Sequence, residues 1–319
     1  MSAGPGRLTA GAIPAPPARV QAQAVLRRHG RSFHFAGRLL GPVDGARAAR
    51  LYGFCRHVDD LADTAKTREA GAAALARTAL AVRERRPLGP ETADFLHLME
   101  ETGMDARAPL ALIEGVTSDL DPVRIPDEAA LVDYAYSVAG VVGLMMCDVL
   151  EVDDPAAYPF AIDLGVAMQL TNIARDVGAD TALGRRYLPG PWVGEAEPEA
   201  IADPGPALQG ALQTATRNLL GLAERYYESG EQGLGYLPPR ARPAILTAAR
   251  IYRAIGGRIA ANGWRSWDRR AVVSGPEKLA RAASAAAASL TKTRKSAGAA
   301  RHDAALHAPI RHRFRAHAS

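Results

Sequence analysis

Cysteine is nearly missing: Cys55 and Cys147 are the two in 319 residues. That is too few for a disulfide framework or a Cys-rich zinc site, and a reducing, cytosolic setting is the default. Long apolar runs are also missing. The longest uncharged stretch, between Asp133 and Asp148, has 14 residues, whereas a bilayer-spanning helix needs about 20 apolar ones, so no transmembrane span is predicted. Pro5, Pro14, Pro16 and Pro17 break up the N-terminal region, against the charged-then-apolar plan of a secretory signal, and export is not expected. Aromatics make up 6% of the chain, and beyond Trp267 Phe314 stands alone. The basic C-terminal region therefore has little to stack on bases, and nucleic acid is not an expected partner.

What is present is ordinary for a soluble globular protein, with 48% hydrophobic and 23% charged residues. The length allows one or two domains. The net charge of +5 is unevenly placed. Residues 265–319 hold 12 Lys+Arg against 3 Asp+Glu, a balance of +9 that leaves −4 for the first 264. A basic tail of this kind suits peripheral contact with anionic lipid or simple solvation as a disordered segment. The expected partition is a flexible segment over 1–24, one domain over 25–290 and a basic, disordered tail over 291–319.

Apolar residues recur every three to four positions and no sustained alternating run appears, which predicts an all-α chain. Leu212, Ala215, Leu219, Leu222, Ala223 and Tyr226 form one such stripe, and Ile245, Ala248, Tyr252, Ile255 and Ile259 another. Proline clusters at 87–90, 122–126, 155–159, 189–206 and 238–243 mark helix boundaries. The 189–206 stretch is the longest loop, taken as an excursion within one domain. The run Ala282 to Ala288 is compatible with a final helix.

Two acidic clusters carry the chemistry. In Arg56-His57-Val58-Asp59-Asp60-Leu61-Ala62-Asp63, Asp59 and Asp63 are four apart and share a helix face, where like charges repel. In Asn172-Ile173-Ala174-Arg175-Asp176-Val177-Gly178-Ala179-Asp180, Asp176 and Asp180 repeat the spacing on an apolar helix expected to begin near Ile162. One such pair reads as a solvated helix face. Two pairs, each beside an arginine, suit hard divalent cations, which take oxygen ligands, and Mg²⁺ binds one or two carboxylates together with substrate phosphates. Arg56 and Arg175 then offer forks for phosphate oxygens. Between the clusters lies Tyr134 to Met146, rich in small residues. Gly140 and Gly143 each weaken a helix by about 1 kcal/mol relative to Ala, so they mark close helix packing or room for a hydrocarbon chain.

Three segments, SFHFAGRLLGPVDGARAARLYGFCRHVDDLAD from Ser32, YAYSVAGVVGLMM from Tyr134 and QLTNIARDVGADTALGRRYLP from Gln169, together resemble the squalene and phytoene synthase family. ARIYRAIG from Ala249 and RRAVVSGPEKL from Arg269 are weaker matches in the expected order. The resemblance implies a single all-α isoprenoid-synthase domain with a central apolar cavity, which joins two allylic diphosphates head to head through a cyclopropylcarbinyl diphosphate. Carried over by position, it implies metal ligation by Asp59, Asp63, Asn172, Asp176 and Asp180. Arg56, Arg175 and Arg270 would contact diphosphate. Tyr134, Gln169 and Tyr252 would line the diphosphate region, and Val138, Ala139 and Gly143 the prenyl channel. Tyr134 and Tyr252 also read as ordinary core tyrosines.

The GRRYLP ending and the RAVVS segment resemble bacterial phytoene synthases more than squalene synthases. That implies Mg²⁺ or Mn²⁺ as cofactor and phytoene from two geranylgeranyl diphosphates as the reaction. No NADPH is expected, because no Gly-rich dinucleotide fingerprint follows a strand. The rival readings are a C15-using squalene or dehydrosqualene synthase and a non-catalytic scaffold of the same fold. His34, Ser137 and Ala179 depart from the family's common pattern without removing a metal carboxylate.

Overall fold

The computed structural model describes residues 35–290 and 301–315. The expectations for 1–24, for His34 and for 291–300 lie outside the described residues. Nine main helices follow one another among them: α1 (Pro42–Asp63), α2 (Arg68–Glu84), α3 (Pro90–Thr102), α4 (Arg107–Ser118), α5 (Glu128–Val149), α6 (Tyr158–Ala182), α7 (Pro206–Gln232), α8 (Arg242–Ala261) and α9 (Gly275–Ser289). No strand occurs among the described residues. Local chemistry sets the helix ends. Pro42, Pro90 and Pro206 sit in first turns, where a missing N–H costs nothing. Thr67 and Asp127 accept hydrogen bonds from the amides of Ala70 (3.2 Å) and Ala130 (2.8 Å), capping α2 and α5. Gly103, at φ 70°, closes α3.

The all-α expectation holds, and both predicted stripes face inward. Every residue of the α7 stripe is buried, as are Ala248, Tyr252, Ile255 and Ile259 of α8. Helix α6 begins at Tyr158, four residues before the expected Ile162, and packs against α5, α7 and α8 at the centre of the molecule. Its crossing with α5 is a backbone-to-backbone contact. A Cβ on Gly143 would lie 2.1 Å from the Ala161 carbonyl oxygen, and one on Gly165 2.2 Å from that of Ala139. Only glycine permits that approach.

Helix α5 departs from expectation. Its 22 residues are long and apolar enough to cross a bilayer by length and composition, because Asp133 and Asp148 interrupt rather than end the apolar segment. Half of its apolar window is buried inside the protein, where Leu131, Val132, Tyr136, Val141 and Met145 join the core. A π-helical turn, Tyr136–Gly140, interrupts it, as such turns do near functional sites.

The 189–206 stretch is not structureless. It forms a 3-10 turn (Gly190–Trp192) and a short helix (Pro198–Ala202) that lies on α6 with Ile201 buried. The expected disordered tail needs a larger correction. Residues 301–315 fold back onto the helices, with Leu306, His307 and Ile310 buried. Tyr226 donates to the Leu306 carbonyl at 2.7 Å, Arg313 pairs with Asp133 at 2.7 Å and with Glu114 at 3.0 Å, and the Phe314 ring meets Tyr136 edge-on. Composition reads this basic stretch as solvated, but Arg313 meets carboxylates that lie far away in sequence.

Candidate active site

Helix α1 presents Arg56, Asp59 and Asp63, and α6 presents Gln169, Asn172, Asp176 and Asp180, each set aligned by its three-to-four spacing. The four aspartates, Gln169, Asn172, Arg175 and Tyr134 all line one cleft of about 260 Å³. Asp59, Gln169, Asn172, Arg175 and Asp176 are shared with a larger cavity of about 1300 Å³. Val138, Ala139 and Gly143 of α5 form part of its apolar wall, together with Met146, Leu164 and Ile255. Arg56, Tyr252 and Arg270 line it too. Every residue to which the resemblance gave a metal, diphosphate or channel role thus lies on one of two adjoining hollows.

The cleft is electrostatically tense. Burial pushes the Asp59 carboxyl up to about 7; Arg56 opposes the shift, and Asp63 and Asp119 reinforce it. Burial likewise pushes Asp180 up to about 8, with the negative charge of Asp176 adding. Asp176 experiences the same burial, but hydrogen bonds from Arg175 (Nε to Oδ1, 2.9 Å) and Arg270 (Nε to Oδ1, 2.8 Å) hold it below the usual carboxylate range. Asp63, more exposed, receives Arg185 Nη1 at 3.1 Å. Asn172 donates to Gln169 Oε1 at 3.3 Å, while its own Oδ1 is buried with no hydrogen-bond partner.

An orphaned acceptor beside carboxyls that resist ionisation is a donor set suited to a cation. The oxygen donors of Asp59, Asp63, Asn172, Asp176 and Asp180 fit a hard divalent ion. Tyr252 lies against Arg175, and burial pushes its phenol up to about 12, so it is a neutral hydroxyl at physiological pH.

Three cleft residues escaped the sequence reasoning: Asp119, Arg185 and Tyr187. The hydroxyls of Tyr134 and Tyr187 both donate to the Asp119 carboxylate at 2.9 Å. Burial raises that carboxyl while the two hydroxyls pull it back. Arg185 reaches the Asp119 carbonyl at 3.3 Å. An isolated parallel bridge between Arg124 and Arg186 joins the two segments, with Arg186 N on Val123 O at 2.9 Å and Ile125 N on Arg186 O at 3.1 Å. Arg185 and Tyr187 sit inside the GRRYLP segment that carries the family resemblance. Asp119 has no spacing signal of its own. Tyr134 lines the cleft, with its hydroxyl held by Asp119.

A profile described as squalene/phytoene synthase matches residues 26–277. The chain is 39% identical over 269 residues to a phytoene synthase of Cereibacter sphaeroides, covering 80% of this chain and 75% of that protein. It is 37% identical over 279 residues to a phytoene synthase of Pseudescherichia vulneris, covering 83% and 90%. A crystal structure of a dehydrosqualene synthase in complex with ligand matches with TM-score 0.76 at 27% identity, over 85% of this chain and 96% of that one. Fold and cleft together define an all-α prenyltransferase. Within that class, the chain belongs to the squalene/phytoene synthase family.

Proposed function

We propose that this enzyme condenses two geranylgeranyl diphosphates head to head to give phytoene, in carotenoid biosynthesis. The observation that carries the proposal is the meeting of four aspartates and Asn172 in one cleft that shares its wall with an apolar cavity of about 1300 Å³. That volume exceeds the roughly 300–1,000 Å³ of a pocket for one drug-sized ligand, as two long hydrocarbon chains require.

Asp59, Asp63, Asn172, Asp176 and Asp180 would hold Mg²⁺ or Mn²⁺, which supplies Lewis-acid stabilisation of the departing diphosphate. Arg56, Arg175 and Arg270 line the cavity at its acidic end, so their guanidinium groups receive the diphosphate oxygens as the C1–O bond of one donor breaks. Val138, Ala139, Gly143 and Met146 keep water from the allylic cation. Gln169, Tyr134 and Tyr252 orient the head groups. The double bond of the second donor attacks the cation, and proton loss gives the cyclopropylcarbinyl diphosphate. Departure of the second diphosphate, rearrangement and another proton loss give the C40 hydrocarbon. Two diphosphates and two protons leave in total, and no reductant enters.

Incubation of the purified chain with Mg²⁺ and labelled C20 or C15 diphosphate tests this. A C40 hydrocarbon from the C20 donor is expected, and a C30 product alone overturns it.

The proposed setting is the cytoplasmic face of a membrane, in peripheral contact. Exposed Leu39, Val43, Val272 and Leu279 neighbour the cavity-lining Leu40, Pro42, Val273 and Lys278. An apolar rim at the opening through which a lipophilic product must leave supports this. Co-sedimentation with anionic vesicles should fall for Val272→Glu combined with Leu279→Glu; unchanged binding overturns the contact.

A further inference from the structure

Asp163 belongs to α6 but lines neither hollow of the active site. It is fully buried, at 0% exposure. Its Oδ1 lies 2.7 Å from His307 Nε2, and its Oδ2 lies 2.9 Å from His302 Nε2 and 2.5 Å from the Ser229 hydroxyl, which donates to it. The two imidazole rings are 4.3 Å apart between centroids. One ligand atom from each of the three residues falls within 4.8 Å of the others.

A buried carboxylate needs a cation close by. Among the described residues, Asp163 pairs with these two imidazoles and with no Lys or Arg. The carboxylate is therefore met by Nε2–H donors of the imidazoles, neutral or protonated, or by a metal ion that both rings ligate. Two imidazole nitrogens and a carboxylate are the donor types of the Zn²⁺ class, whereas Mg²⁺ prefers oxygen alone. At metal–ligand lengths of about 2.0–2.2 Å, donor atoms on one tetrahedral ion stand roughly 3.3–3.6 Å apart. The carboxylate–imidazole contacts here are 2.7 and 2.9 Å, so an ion replacing the shared protons needs them to open by only about half an ångström. The Ser229 hydroxyl fixes one carboxylate oxygen, as outer groups do around a metal.

We propose that Asp163, His302 and His307 form a transition-metal site of the Zn²⁺ class, separate from the oxygen-lined cleft, that pins the C-terminal segment to α6. It joins positions 139 and 144 residues apart. It also holds Arg313 and Phe314 against Asp133 and Tyr136 of α5, the helix whose Val138, Ala139 and Gly143 wall the cavity.

The test uses the full chain, stripped with EDTA and titrated with Co²⁺ in excess Mg²⁺. One equivalent should bind with a visible ligand-field band that Zn²⁺ abolishes. Zn²⁺ at a hundredfold excess over its Kd should raise the melting midpoint by about 5 °C. The double variant His302→Gln, His307→Gln keeps amide donors for Asp163 but loses the imidazoles, so band and melting shift should both vanish. The single His302→Gln, at the more exposed ring, should weaken Co²⁺ about tenfold or more. Asp59→Asn with Asp176→Asn should leave the band intact. No band in the wild-type chain, or an equal band in the double glutamine variant, overturns the proposal and leaves direct hydrogen bonds as the whole of the contact. Neither readout depends on prenyl transfer.

Discussion

Replacing Asp119 by Asn tests whether the cleft depends on a residue that lies on neither acidic helix. The carboxylate accepts two hydroxyls, from Tyr134 and Tyr187, each at 2.9 Å. Asparagine retains one acceptor oxygen and turns an N–H₂ toward the other hydroxyl, so one tyrosine loses its partner. A hydrogen bond to a charged group contributes about 1.5–3 kcal/mol. If that energy holds Tyr134 in position for the reacting head group, kcat/KM falls about 10- to 160-fold, at 1.36 kcal/mol per decade. If it serves the fold alone, the melting midpoint drops and turnover per folded molecule stays level. The substitution also removes one of the negative charges that raise Asp59 and Asp180, so both should ionise at lower pH. The assay is single-turnover C40 formation, paired with a thermal melt followed by far-UV circular dichroism. A variant with wild-type melting and wild-type kcat/KM would refute the reasoning.

Asp176→Asn should cut turnover on the order of 10²-fold or more with helicity unchanged by circular dichroism; near-normal product formation would contradict the assigned role. In metal-free protein, stability should depend on pH with a definite sign. Unfolded aspartate titrates near 3.9, while Asp59 and Asp180 are raised to about 7 and about 8 in the fold. The folded chain thus holds the extra protons between those limits. Its stability from these groups is full below about pH 4 and is lost as pH rises through 7 and 8. Melts in EDTA should show that decline and saturating Mg²⁺ should flatten it; a pH-independent midpoint in EDTA argues against the shifts. Gly165→Ala puts a Cβ 2.2 Å from the Ala139 carbonyl, an overpacking that should cost about 1–3 kcal/mol. An unchanged denaturant midpoint would show that α5 and α6 part freely.

The sequence made legible whatever repeats at short range. The three-to-four spacing of Gln169, Asn172, Asp176 and Asp180 puts them on one face before any tertiary contact forms, and the α7 and α8 stripes follow the same rule. Long-range pairings were not legible. Asp119 meets Arg185 and Tyr187 through a backbone bridge between segments some 60 residues apart. The C-terminal segment, by composition a solvated cationic tail, docks because Asp133 and Asp163 wait on helices far upstream. Gly143 left two readings open, close packing and room for a chain: its missing side chain admits the Ala161 backbone, and it also lines the cavity in which the proposed chains would lie.

The apolar length of α5 bears on the order in which the protein is made. Its main cover, α6, leaves the ribosome after it, and the segment that braces it through Tyr136 and Asp133 comes later still. A chain that ends near Val149 therefore has α1 and α4 against this greasy helix but leaves its α6-facing side uncovered, a natural ligand for chaperones or a translocon. C-terminal truncations that stop short of α6 should accumulate as aggregates or membrane-trapped fragments, however sound their own helices are.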